Sequence, residues 1–178
     1  MTRSCEKTQA VPVSDWVRRH AGLIDGQAPI LDLAAGGGRH TRFFKDLGHP
    51  VIAVDRDISR LQDLTADPAV EVIAADLEDG SLWPVGRRRF GGIVVTNYLH
   101  RPLMAHIAGA LAPGGILIYE TFGQGNERFG KPSNPDFLLR PGELLEMAEK
   151  FTLTVLAYRC GEVSTPLPAV VQRAVFRN

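Results

Sequence analysis

Between residues 30 and 151, five short apolar runs recur at 30–33, 51–54, 70–74, 92–96 and 116–120, with helix-period segments between them. A strand that is apolar along its length must be covered on both faces, which calls for helices above and below a parallel sheet. The intervening segments supply that cover. Phe43, Phe44 and Leu47 in 41–47, Ile58, Leu61 and Leu64 in 58–65, and Leu103, Ile107 and Leu111 in 102–111 each form one stripe at spacings of three and four. Asp57 is placed to cap the second of these helices and Pro102 to open the third. Ahead of the first strand, 14–21 reads as a short helix capped by Ser14, with Trp16 and Val17 against the sheet.

Beyond the fifth strand, 122–140 is rich in Gly, Pro and Asn, and a helix over 141–150 follows with Leu144, Leu145 and Met147 inward. So long a connection in a small domain is uncommon and often functional. Phe122, Phe129 and Phe137 among its glycines suggest a substrate lid with glycine hinges; the alternative is a static loop with its aromatics in the core. Two β-rich runs, 152–160 and 169–176, close the chain. Their connection is too short for a helical crossover, so they pair antiparallel. The fold expected is α/β and doubly wound, a mostly parallel sheet with helices on both faces, built as one domain over 1–178 with a flexible start at 1–12.

Composition removes several functions. The 178 residues carry 20 basic and 20 acidic side chains and no formal net charge, so no global field draws a polyanion. No apolar run reaches the roughly 18 residues of a membrane span. Residues 1–10 are polar and lack the apolar core of a secretory signal, which favours the cytoplasm. Cys5 and Cys160 have no partner pattern and read as free thiols, and the histidines show no metal-ligand spacing.

Chemistry concentrates where the first strand ends. Ile30-Leu31-Asp32-Leu33 runs into Ala34-Ala35-Gly36-Gly37-Gly38-Arg39-His40, a glycine turn that opens a helix. Glycine lets the backbone bend sharply and approach a ligand with no Cβ in the way. Asp55 ends the second strand about 20 residues on, where a carboxylate accepts from both hydroxyls of a ribose, and Asp76 follows the third, where one accepts from an exocyclic amine. The bland alternative is that both only cap turns. Asp32 discriminates among nucleosides, because a pyrophosphate at the helix start would be repelled by that carboxylate whereas an ammonium group would be attracted. Thr41 also occupies a position where the dinucleotide fingerprint wants Gly or Ala.

These residues together resemble the Rossmann-like S-adenosylmethionine-dependent methyltransferases. Asp32-Leu-Ala-Ala-Gly-Gly-Gly-Arg-His resembles the first motif of that family, Val54-Asp55 the second, Ala75-Asp76-Leu77 the third, and the run from Leu111 through Ala-Pro-Gly-Gly to Glu120 its loop and fifth strand. The resemblance covers nearly the whole chain and looks most like small bacterial methyltransferases associated with tellurite resistance. Ala34 departs from it, standing where the family often has its first glycine.

The resemblance implies seven strands, the last antiparallel, and S-adenosylmethionine as cofactor. It implies that Asp32 holds the methionine ammonium, that Ala34, Gly36 and Gly38 let the backbone approach, that Asp55 with Arg56 takes the ribose side, and that Asp76 with the Leu77 amide reads the adenine. Arg39 pairs with the methionine carboxylate or is a solvated surface arginine. Asn97 lines the cofactor and Tyr98 offers a π-face or hydroxyl near the sulfonium. His100 is the candidate base, set against an exposed helix-start residue. Arg101 binds an anionic substrate group or forms a surface salt bridge, and Glu120 touches the acceptor or is a buried partner for a loop amide. The acceptor expected is a small molecule, with no nucleic-acid or membrane partner, the protein working as a monomer or homodimer. Competing readings are an RNA or protein methyltransferase using Arg87, Arg88 and Arg89, and a catalytically silent nucleoside-binding partner subunit.

Overall fold

The computed structural model describes residues 11–178. Most of the start expected to be flexible, and Cys5, therefore lie outside the described residues. Seven strands form one sheet in the order β3-β2-β1-β4-β5-β7-β6. Their ranges are β1 Ile30–Leu33, β2 Val51–Asp55, β3 Val70–Ala74, β4 Phe90–Thr96, β5 Leu111–Phe122, β6 Thr154–Val163 and β7 Ala169–Arg177. Only β7 runs against the rest, pairing antiparallel with both β5 and β6. The chain steps outward from β1 to β3, then restarts on the other side of β1 with β4. Between β1 and β4 the winding reverses, and open α/β sheets form their ligand crevice at the carboxyl end of such a switch.

Four α-helices, α1 Asp15–His20, α2 Arg39–Asp46, α3 Met104–Gly109 and α4 Glu143–Lys150, cover the two faces. Trp16 and Val17 of α1 and Phe44 of α2 pack on Ile30, Val94 and Ile118 on one side, and Ile107 of α3 with Leu144 and Met147 of α4 pack on Leu31, Val95 and Tyr119 on the other. The crossover from β3 to β4 holds no helix. In its place Val85 and half-buried Trp83 plug the second face from a chain of turns.

Several elements differ from expectation. The segment with Ile58, Leu61 and Leu64 forms a 3-10 helix, Ser59–Leu64, rather than an α-helix. Its apolar residues are spaced strictly by three, and a helix with three residues per turn aligns them on one face. Asp57 accepts from the Ser59 amide at 3.0 Å, closing a turn at its start. Leu47, assigned to the apolar stripe of α2, is 52% exposed because α2 has ended before it and Gly48 turns left-handed. Similarly α4 starts at Glu143 rather than at 141, since Gly142 at φ 80° cannot continue a right-handed helix, and this turns Leu145 outward. Leu111, read as the end of α3, already belongs to β5, where it pairs with Phe90 across an irregularity that leads to the Gly92–Ile116 pair.

Ser14 caps α1 as expected, its Oγ accepting from the Trp16 amide at 3.1 Å. The same hydroxyl donates to the buried Glu120 carboxylate at 3.0 Å, fastening α1 to the end of β5. Ser14→Ala removes both bonds. It is expected to lower the unfolding free energy by about 1–2 kcal/mol, read from urea denaturation.

Candidate functional site

The turn from β1 to α2 uses the left-handed region three times, at Ala34 (φ 55°), Gly36 (φ 55°) and Gly38 (φ 73°). A Cβ on Gly38 would lie 2.4 Å from a methyl of Leu61, so no side chain fits there. Ala34 holds the same conformation with a side chain, at a cost of about 1–2 kcal/mol, which is the physical reason a glycine suits that position. Asp55 fixes the turn from the neighbouring strand. Its Oδ2 accepts from the Gly36 amide at 2.7 Å and its Oδ1 from the Asp57 amide at 2.9 Å. A carboxylate has about four lone-pair positions, so each oxygen can accept once more.

Asp32 lies beneath the turn and is 2% exposed. The Thr41 hydroxyl donates to its Oδ2 at 2.6 Å, and no ion pair reaches it among the described residues. Burial pushes its pKa up to about 6, with the Thr41 bonds and the nearby Arg39 opposing the rise. Thr41, which in the sequence argues only against a dinucleotide, thus orients the buried carboxylate.

A cavity of about 270 Å³ opens beside the turn at the carboxyl ends of the strands. Six of the residues singled out from sequence line it: Ala34, Asp55, Arg56, Asp76, Leu77 and Tyr98. Ala75, Glu78 and Phe137 complete the lining. Glu78 was not anticipated; its amide donates to Asp76 Oδ1 at 2.9 Å, so the two acidic residues share one tight turn. The Tyr98 hydroxyl is buried without a hydrogen-bond partner among the described residues. Burial first, then the negative charges of Glu78 and Asp76, push its pKa well above the usual tyrosine value.

The remaining candidates lie around this cavity rather than in it. Asn97 is exposed, in a left-handed conformation at φ 55°, where β4 ends. His100 is half-buried, and its ring has no hydrogen-bond partner among the described residues. Arg39 donates to the Pro12 carbonyl at 3.0 Å and lies 3.4 Å from the Thr96 hydroxyl, so it is tied rather than solvated. Its neighbour His40 accepts from the Ser14 amide, and burial, helped by Arg39, pulls its pKa down to about 3 and keeps the ring neutral.

Two of the residues assigned to catalysis are engaged structurally. Arg101 forks onto Glu143 at 2.6 and 2.9 Å and donates to two backbone carbonyls. Glu120 accepts from Ser14 and lies 2.8 Å from Arg173 Nε, held by charge because that N–H is not aligned with it. Within the basic run, Arg88 pairs with Glu71, and Arg89 donates to the carbonyls of Gly109 and Leu111, at the amino ends of the strands and so opposite the cavity. Among the described residues no group of three or more His, Cys, Asp or Glu side chains could hold a metal ion, and no helix is long and apolar enough to cross a membrane.

A sheet with β7 alone reversed and a glycine turn at the β1/β4 switch defines the Rossmann-like fold on which S-adenosylmethionine-dependent methyltransferases are built. Solved structures share it. The 1,6-didemethyltoxoflavin-N1-methyltransferase of Burkholderia thailandensis, solved with 1,6-didemethyltoxoflavin and S-adenosylhomocysteine bound, matches at TM-score 0.67 and 22% identity over 92% of this chain and 76% of that one. TehB from Haemophilus influenzae matches at TM-score 0.74 and 18% identity over 97% of this chain, which spans only 64% of TehB. A TehB-like S-adenosylmethionine-dependent methyltransferase from Corynebacterium glutamicum matches at TM-score 0.66 and 22% identity, covering 94% of this chain and 89% of that one. No family model and no curated protein matches the sequence.

The buried carboxyl makes a prediction about stability. Because the pKa of Asp32 is raised in the folded state from 3.8 to about 6, its contribution is most favourable below about pH 4 and is lost as pH rises through 6. Asp32→Asn, neutral throughout and still able to accept from Thr41, is expected to be more stable than the wild type near pH 8, by up to about 3 kcal/mol. Denaturant unfolding at several pH values should show the difference closing towards about pH 4.

Proposed function

We propose that the protein is an S-adenosylmethionine-dependent methyltransferase acting on a small molecule. The observation that carries this reading is a buried carboxylate under a glycine turn, beside a crevice whose other walls present Asp55, Asp76 and the Leu77 amide. Such a set suits a nucleoside that bears an ammonium group and would repel a pyrophosphate. The Tyr98 hydroxyl and the spare lone pairs of Asp55 supply further polar partners that an adenosine would use. Bound there, the cofactor supplies a methyl carbon activated by the positive charge of its sulfonium, so alignment and exclusion of water are the protein's main tasks.

In this reading Asp32 takes the ammonium, directly or through water, and Gly36 and Gly38 admit the backbone to close approach beside Ala34. Asp55 accepts from the ribose hydroxyls with Arg56 beside it. Asp76 and the Leu77 amide read the adenine edge. Asn97 borders the cofactor, and Arg39 holds the turn side of the methionine end. On the acceptor side Tyr98 presents its ring, and His100, whose imidazole is free of other bonds, takes the proton from the acceptor where one must be lost. Arg101 and Glu120 act by positioning. The acceptor is a small molecule because the basic run lies at the amino ends of the strands, away from the crevice, with two of its three arginines already engaged; the likeness to TehB does not extend the proposal to tellurium chemistry. We assign the activity to the cytoplasm.

Calorimetric titration with S-adenosylhomocysteine tests the cofactor. Micromolar binding is expected, weakened by about 1–3 kcal/mol in Asp55→Ala. The affinity should fall as pH drops through about 6, where Asp32 takes up its proton. A folded wild type that does not bind would overturn the proposal. Once an acceptor is found, His100→Ala should slow turnover measured at saturating cofactor.

A further inference from the structure

We propose that Arg101 is a positioning residue that sets Phe137 as a wall of the adenosine end of the crevice, so that the strap leading into α4, which carries Phe137 on a 3-10 turn, controls cofactor affinity. This rests on the cofactor reading given above.

The guanidinium sits just past Tyr98, on the 3-10 turn Arg101–Leu103 that follows β4. Its Nη1 donates to the Asp136 carbonyl at 2.7 Å and its Nη2 to the Leu138 carbonyl at 3.0 Å, the carbonyls of the residues before and after Phe137. Nε and Nη2 also fork onto the two carboxylate oxygens of Glu143 at 2.6 and 2.9 Å. Glu143 is 5% exposed and takes the Arg140 amide at 2.8 Å as well, so the strap is closed on itself beside the arginine. The strap is anchored further down by Leu139, whose amide donates to Phe122 and whose carbonyl accepts from Gln124. The four bonds of the Arg101 guanidinium reach four separate oxygen atoms, one more than the three N–H donors of an ammonium could serve.

The backbone on both sides of Phe137 is therefore fixed to the segment that carries Tyr98, and these two aromatic residues line the same cavity. The ring of Phe137 contributes nothing to the core and leaves 43% of the residue exposed. An aromatic residue held at a cavity mouth by backbone staples, with its face still wet, has surface to bury when a planar base enters. Four of the five N–H donors of Arg101 are committed to that arrangement, which leaves a single Nη1 hydrogen for any other acceptor.

The test is calorimetric titration of the full chain with S-adenosylhomocysteine and with 5′-methylthioadenosine, which lacks the amino-acid end. Phe137→Ala and Arg101→Lys are each expected to weaken both ligands by a similar factor of about 3- to 10-fold, while Phe137→Trp binds like the wild type. Because the arginine acts through the ring, Arg101→Lys should add nothing further in a Phe137→Ala background, a pattern that a general loss of stability would not produce. Should Arg101→Lys fail to fold, Glu143→Gln replaces it, loosening the same fork. Wild-type affinity in Phe137→Ala, wild-type affinity in Arg101→Lys, or fully additive losses in the double variant would each overturn the proposal while leaving the cofactor reading intact. A wild type that binds neither ligand overturns both.

Discussion

The bond from the Gly36 amide to the Asp55 carboxylate joins the turn after β1 to the end of β2, and the site is organised around it. The turn needs left-handed backbone at three of five consecutive residues, a conformation that an isolated chain would leave. Asp55 holds it from one side and the close packing of Leu61 against Gly38 holds it from the other. With the turn fixed, Asp32 is trapped beneath it with a neutral partner in Thr41, and burial rather than a nearby cation sets its protonation. The crevice then lies where the sheet reverses its winding, bordered by Asp55 at the end of β2 and Asp76 after β3.

Two ionic staples extend this frame to the parts of the chain that come last and first. Arg101 and Glu143 tie the strap before α4 to the segment after β4, and Glu120, between Ser14 and Arg173, ties α1 to the end of β5. Such pairs are costly to desolvate and contribute little net stability compared with apolar packing, but they specify position. Their effect is to fix the two flanks of the crevice relative to β4 and β5. The strap expected to be a lid is thus anchored at its base, with Leu138 and Leu139 buried, while Phe129 and Phe137 are left at the surface.

Glu120 and Arg101 illustrate why side-chain roles were only partly legible. A carboxylate or a guanidinium at a strand end on the crevice rim has the same signature in sequence whether it meets a substrate or another part of the chain. The partner decides, and Ser14, Arg173 and Glu143 are distant in sequence from the residues they hold. Glu78 was missed as a cavity residue, whereas Phe137, expected in a lid over the site, does line the cavity. Glu78 enters through the tight turn at Asp76, a signal available in the spacing.

The sequence by itself determined the alternation of strands and helices, the antiparallel closing pair, and the set of polar residues at the ends of β1 to β4. It did so because burial on two faces and left-handed turns each demand particular residue types at particular spacings. Tertiary structure alone decided that the β3 to β4 crossover does without a helix and which charged groups are spent on one another. Those outcomes depend on long-range partners and on competition between packing and helix geometry, and neither is written in local sequence.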